Sequence, residues 1–237
     1  MWFSPDWYLP KGVHAAFTDR IGGHSVASFA GFNLGQHVGD DSEAVALNRS
    51  KLSAGLGLKN EPVWLNQVHG THVESLPTKE SLPTADASYT DTPAQVCCVM
   101  TADCVPVLFV SADGLEVAAA HAGWRGLCDG ILEHTVAKFS SRDIRAWIGP
   151  CISKRHFEVG PEVRQQFIEH QAEAEQAFTS HGDKFLGDLP LIVRQRLERV
   201  GITDVTDSQL CTYANPERFF SYRRDRDTGR LACLIWR

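Results

Sequence analysis

Apolar residues fall along this chain in short runs whose spacing alternates between the period of a strand and the period of a helix. Residues 13–19 predict a first strand, and Ile21-Gly22-Gly23-His24-Ser25 follows as a loop whose paired glycines permit positive φ. Gly39-Asp40-Asp41-Ser42 supplies cap residues for a helix marked by Ala44, Val45, Leu47, Leu52 and Leu56. After the boundary Asn60-Glu61-Pro62, residues 63–69 and 96–104 read as strands, separated by a Pro- and Thr-rich loop over 75–87. Pro106 predicts a break, with the strand resuming over 107–110. The turn Ala112-Asp113-Gly114 leads into a buried strand reaching Ala120, then a helix over 127–139 and a strand over 144–148. Further helices are expected over 161–178, with Pro161 in the first turn, and over 189–200, closed by Gly201. Thr228-Gly229 then turns the chain into a final strand over 231–236. There is no internal repeat and no low-complexity linker. The order predicts one α/β (α+β) domain over 1–237, a mixed β-sheet core flanked by helices rather than a Rossmann sheet.

Three apolar runs end in a metal-binding side chain, at His69, Cys104 and His121. If those runs are neighbouring strands, two imidazoles and one thiolate meet at one edge of a sheet. Three protein ligands with a fourth position open is how catalytic zinc is held, whereas structural zinc is closed by four. Singly, each histidine is more often a core or turn residue, because ten histidines put some at strand ends by chance. His121 has more behind it: Gly123 and Gly126 bracket a tight turn, and Trp124 and Arg125 offer a stacking face and a fixed charge. Asp103 beside Cys104 would raise a free thiol's pKa unless a cation offset it, and a bound metal does so. Copper is the less favoured ion. No two histidines form the His-x-His pairs of multicopper sites, and a blue-copper site would need Met100, an apolar strand residue.

Composition narrows the partners. A formal net charge of -6 with no dense run of Lys and Arg argues against nucleic acid and anionic membrane surfaces. No apolar run approaches the roughly 18 residues of a membrane span. Met1-Trp2-Phe3-Ser4-Pro5-Asp6 lacks the signal-peptide pattern, so a cytoplasmic location is expected. The seven cysteines are expected as free thiols, with Cys97, Cys98, Cys128 and Cys233 among apolar or small neighbours and Cys104, Cys151 and Cys211 in polar company. No Cys-x-x-Cys and no His-Glu-x-x-His occurs. His72-Val73-Glu74 imitates half of the nucleobase-deaminase signature without its Pro-Cys-x-x-Cys.

Seven blocks carry a resemblance to a known family. They are Asp19-Arg20-Ile21-Gly22-Gly23-His24-Ser25, Asn33-Leu34-Gly35-Gln36-His37-Val38-Gly39-Asp40-Asp41, Asn66-Gln67-Val68-His69-Gly70, Thr101-Ala102-Asp103-Cys104-Val105-Pro106, His121-Ala122-Gly123-Trp124-Arg125-Gly126, Ile148-Gly149-Pro150-Cys151-Ile152, and Phe220-Ser221-Tyr222-Arg223-Arg224-Asp225 through Thr228-Gly229-Arg230. Together they span nearly the whole chain, which resembles the YfiH-type laccase-domain family. The resemblance implies a fold similar to the cysteine-hydrolase-like fold of bacterial deamidating toxins, with zinc on His69, Cys104 and His121. It implies phosphorolysis of adenosine, inosine, guanosine or methylthioadenosine and deamination of adenosine, with purine nucleoside and phosphate as the small-molecule partners. Some members are linked to editing of peptidoglycan precursors. The surrounding blocks imply Arg20, Asp103 and Arg223 as catalytic candidates beside Cys104, and Asn33, Gln67, Arg125, Cys151 and Tyr222 as substrate-binding candidates. Gly31-Phe32 and Pro190-Leu191 depart from the family pattern, and neither touches a ligand.

An open zinc suits deamination because it acidifies water, whereas phosphorolysis needs a guanidinium to cradle the anion. Arg223 and Arg224 are adjacent, so in a strand only one enters the pocket, and Arg223 is the one taken as inward. Three alternatives stand beside the zinc enzyme: a metal-independent hydrolase or amidase with Cys104 as nucleophile and His121 as base, a copper-dependent polyphenol oxidase, and a peptidoglycan-precursor editing or binding factor. A monomer or weak homodimer is expected.

Overall fold

A computed structural model describes residues 1–237. In chain order the elements are β1 (Trp2–Phe3), β2 (His14–Thr18), α1 (Ser42–Leu56), β3 (Val73–Ser75), β4 (Ala87–Thr90), β5 (Val96–Thr101), β6 (Val105–Ser111) and β7 (Val117–Ala122). Then follow α2 (Trp124–Asp129), α3 (Ile131–Val136), β8 (Ile144–Ile148), β9 (Glu158–Val159), α4 (Pro161–His170), β10 (Phe178–His181), β11 (Lys184–Gly187), α5 (Leu189–Arg199), β12 (Val205–Asp207), α6 (Tyr222–Asp225) and β13 (Leu231–Trp236). No helix is long and apolar enough to cross a membrane.

The strands are apolar on both faces, and their alternation builds layers. One mixed sheet runs β12-β8-β6-β7-β4-β3, and a second runs β1-β2-β13-β5. Along β6, Val105, Val107 and Phe109 pack with Leu127, Ile131 and Leu132 of the helical layer, while Leu108 and Val110 face the second sheet. Along β13, Leu231, Cys233 and Ile235 face the first sheet, and Ala232 and Leu234 turn outward to meet Leu52 of α1. The result is a two-sheet sandwich with helices on both outer faces. It is a mixed α+β single domain, as the run pattern predicts.

Several local expectations fail for identifiable reasons. Residues 63–69 make only isolated bridges, Val63 with Cys97 and Asn66 with Thr84, and form no strand. Pro106 does not interrupt β6. It lies next to the strand's first residue, where its carbonyl is used by Gly149 N and its missing N–H is tolerated. The helix expected over 127–139 is cut into α2 and α3 by Gly130, at φ 102°. The helix expected over 161–178 ends at His170, and residues 172–177 continue as a 3-10 helix. The block around Arg223 is the one-turn helix α6, capped by Ser221 Oγ, rather than a strand. The single sheet becomes two sheets plus the small sheet β10-β11-β9.

Phe109 is fully buried between the central strands and the helices. Phe109→Ala should lower unfolding free energy by about 3–5 kcal/mol in urea titration, with little change in slope.

Candidate active site

The chain passes from one sheet to the other in the short turn between β5 and β6, and Asp103 and Cys104 form that turn. Pairing of Pro106 with His121 in the β6–β7 register brings His121 to the same end of the sandwich. His69 arrives from the irregular 63–70 segment, which is tied to β5 by its own side chain: Gln67 Nε2 donates to Met100 O at 2.8 Å, and Met100 N donates to Gln67 Oε1 at 2.7 Å. The metal-binding atoms of His69, Cys104 and His121 therefore lie within 4.8 Å of one another. Cys104 Sγ is 3.7 Å from His69 Nε2. The two imidazole rings meet edge to face, with centroids 4.8 Å apart. His121 is buried, Cys104 half-buried and His69 exposed, so the cluster opens on the His69 side.

A fully buried carboxylate stands behind the cluster. Asp86 Oδ1 lies 2.8 Å from His121 Nδ1, which leaves Nε2 of that ring for the centre. Asp86 also accepts the N–H groups of Val68, His69 and Gly70 at 3.2, 2.9 and 2.7 Å. Burial would raise its pKa, but the His121 hydrogen bond and charge, with the backbone donors, hold it below the usual carboxylate range. Burial would likewise raise the Cys104 thiol. The neighbouring charge and hydrogen bond of His121, helped by His69, outweigh burial and bring it below the ordinary thiol range. His121 moves the other way: burial opposes its charge, and Cys104 and Asp86 together raise its pKa.

Space is reserved for the rings. A Cβ on Gly123 would fall 2.4 Å from His69 Cδ2 and 3.4 Å from Cys104 Sγ, and one on Gly126 would fall 2.6 Å from Gly70 O. His69 and Asp103 hold positive φ, 61° and 95°, in a backbone region that strains non-glycine residues. Two nitrogens and a sulfur, with one ring oriented by a carboxylate, are a fitting donor set for one borderline-soft ion. Cys128, Asp129 and His170 form another donor group, but burial lifts the Cys128 thiol to about 11, which disfavours the thiolate a metal needs.

The cluster sits in the floor of a cleft of about 520 Å³, a normal size for a small-molecule site. Arg125, Arg223, Arg226 and Arg230 line it, together with His37, Trp124, Phe157 and Tyr222. Three of the guanidiniums lie against rings, Arg125 on Trp124, Arg223 on Phe157 and Arg226 on Tyr222. The one carboxylate in the lining, Asp103, accepts from Thr212 Oγ1 at 2.6 Å, Ser221 Oγ at 3.0 Å and Arg223 N at 2.7 Å. An acidic chain thus presents a cationic cleft, suited to an anionic ligand.

A family model described as multi-copper polyphenol oxidoreductase laccase matches residues 14–237. The chain belongs to that family. Within it, the chain is 52% identical over 236 residues to the purine nucleoside phosphorylase YfiH of Shigella flexneri, covering 98% of this chain and 97% of that one. It is 48% identical to a purine nucleoside phosphorylase of Haemophilus influenzae, with 98% of each chain covered. Among solved structures, the Neisseria meningitidis protein NMB0706 superposes with a TM-score of 0.93 at 43% identity, covering 99% of this chain and 98% of that one.

The laccase-family fold gathers Gln67, His69, Asp103, Cys104, His121, Arg125, Tyr222 and Arg223 around the cleft. It leaves three expected residues outside. Arg20 donates to Pro216 O and Ala30 O and lies over Phe220. Asn33 is buried, where it receives Gly35 N and Arg230 N and so braces Arg230 from behind. Cys151 is buried beside Cys211, and burial raises its thiol well above the ordinary range. Arg224 is structural, as expected, with its guanidinium on the carbonyls of Thr212, Tyr213 and Phe219. The structure adds His37, Arg226 and Arg230 to the lining and Asp86 behind His121, none of which the sequence singles out. His37 and Arg230 lie within blocks that resemble the family, and an acidic residue set between alanines at the mouth of a strand is the signal for Asp86.

Gly123→Ala pushes a methyl into the His69 ring. Retained thermal stability with metal content after dialysis reduced by at least half is the expected outcome, read by circular dichroism and elemental analysis.

Proposed function

We propose that this chain is a zinc enzyme that phosphorolyses purine nucleosides, among them adenosine, inosine, guanosine and methylthioadenosine, and deaminates adenosine. The observation that carries this is the three-donor cluster of His69, Cys104 and His121 in the floor of an arginine-lined cleft. The names of its relatives as purine nucleoside phosphorylases support the substrate class. His69, Cys104 and His121 would hold the ion, which supplies Lewis acidity toward substrate and acidifies water. Zinc is favoured over copper because two imidazoles and a thiolate with an open position suit it, and no His-x-His pairs are present. The cytoplasmic location expected from the sequence belongs to the same proposal.

In phosphorolysis a phosphate oxygen bonds to the ribose anomeric carbon, the C1′–N9 bond breaks, and the electron pair leaves with the purine, which takes up a proton. The chain's part is to position and neutralise. Arg223 Nη1 is engaged by His156 O and Glu158 O, and Arg230 Nη1 by Thr228 O and Gly229 O, which fixes both forks while their remaining N–H groups have no protein acceptor. Trp124, Phe157 and Tyr222 supply apolar faces for the base. Asp103, held by three donors, acts as the brace that aims α6 and Arg223 rather than as a proton carrier. The products from inosine are hypoxanthine and ribose 1-phosphate.

One observation favours a second reading. Cys104, His121 and Asp86 are also ordered as nucleophile, base and orienting carboxylate, and the metal-free thiol is lowered by His121. The second imidazole beside the sulfur, His69, supports the metal instead.

Single His69→Ala, Cys104→Ala and His121→Ala variants should stay folded and lose both bound zinc and inosine phosphorolysis. Full turnover by a metal-stripped protein, abolished by iodoacetamide at Cys104, would favour the nucleophile. Arg230→Gln should raise KM for phosphate about tenfold, the effect of one lost charge-assisted hydrogen bond, in initial-rate assays at fixed inosine.

A further inference from the structure

We infer that Asp86 is the positioning residue of this centre: one buried carboxylate that selects the nitrogen through which His121 binds metal and holds the backbone from which His69 binds it. The inference rests on the metal-centre reading above. Two observations carry it.

The first is the saturation of the carboxylate. Oδ1 takes His121 Nδ1 at 2.8 Å and His69 N at 2.9 Å, and Oδ2 takes Gly70 N at 2.7 Å and Val68 N at 3.2 Å. A carboxylate offers about four lone-pair positions, so every one is filled by a donor belonging to a ligand or to the residues flanking it. The second is where the main chain puts it. Ala87 pairs with Ala120 across β4 and β7, and His121 N donates to Asp86 O at 2.7 Å, so backbone and side chain of Asp86 both grip the same ligand residue. His69 is exposed, lies outside any strand and has φ 61°, a conformation that the three consecutive N–H bonds to Asp86 enforce.

Asparagine cannot replace this carboxylate. In either amide orientation one oxygen becomes an NH₂ group that faces two N–H donors, so either His69 N and the His121 ring or Val68 N and Gly70 N lose their acceptor. Replacing partners that orient metal-bound histidines typically weakens metal binding 10–100-fold.

The test uses zinc alone, in competition with a chromophoric chelator, on the wild-type chain and Asp86→Asn. The expected result is zinc affinity reduced 10–100-fold in Asp86→Asn, together with faster hydrogen exchange at the amides of 68–70. Histidine proton–nitrogen correlation spectra of zinc-loaded wild-type protein should show His121 protonated on Nδ1, a measurement that needs no variant to fold. Equal zinc affinity in a folded Asp86→Asn, or zinc on His121 Nδ1, would overturn the role of Asp86 alone. A wild-type chain that takes up no zinc would overturn this role and the proposed function together.

Discussion

A single anion in the protein interior organises the functional end of this molecule. Asp86 is fully buried, and an uncompensated charge there would be prohibitive, so the fold surrounds it with four donors. Those donors belong to the 68–70 segment and to His121, elements that come from opposite sides of β4. Satisfying one carboxylate therefore orients the His121 ring and fixes the backbone that carries His69. Cys104 is set by a different constraint, the short turn by which the chain leaves one sheet and enters the other. The candidate centre is where these two necessities meet.

The same division of labour runs through the cleft. Asp103, another buried carboxylate, joins the sheet-crossing turn to Thr212, Ser221 and α6. Its donors are two hydroxyls and a backbone N–H rather than guanidiniums, so the arginines that share the lining keep N–H groups available to a ligand. Their rings and carbonyl partners immobilise them, which reduces the entropy lost when an anion binds. A chain of net charge -6 can in this way present a local cationic surface without becoming a general binder of polyanions.

The layers were legible in the sequence because strands buried on both faces, such as Val105 to Ser111 and Val117 to Ala122, leave continuous apolar runs between turn signals. The donors His69, Cys104 and His121 were legible as well, but by a premise that holds only partly. His121 lies in a strand and Cys104 lies at a strand boundary, whereas His69 sits in an irregular segment held by side chains. Capture of Met100 by Gln67 and of three amides by Asp86 depends on residues 16 to 33 positions away, which no local pattern reveals. Arg20, Asn33 and Cys151 show the reverse case: they belong to blocks that resemble the family, yet their side chains lie outside the lining of the cleft. Arg226 and Arg230 enter it because the chain turns after α6, a matter of tertiary geometry.

The central claim is a lone divalent ion shared by two rings and a sulfur. Anomalous scattering at the zinc edge, on zinc-loaded crystals soaked with inosine and phosphate, tests it most directly. The account predicts one peak among His69 Nε2, Cys104 Sγ and His121 Nε2, with ligand density in the arginine-lined cleft. Zinc-loaded crystals with no peak there, or with their peak at another set of side chains, would contradict it.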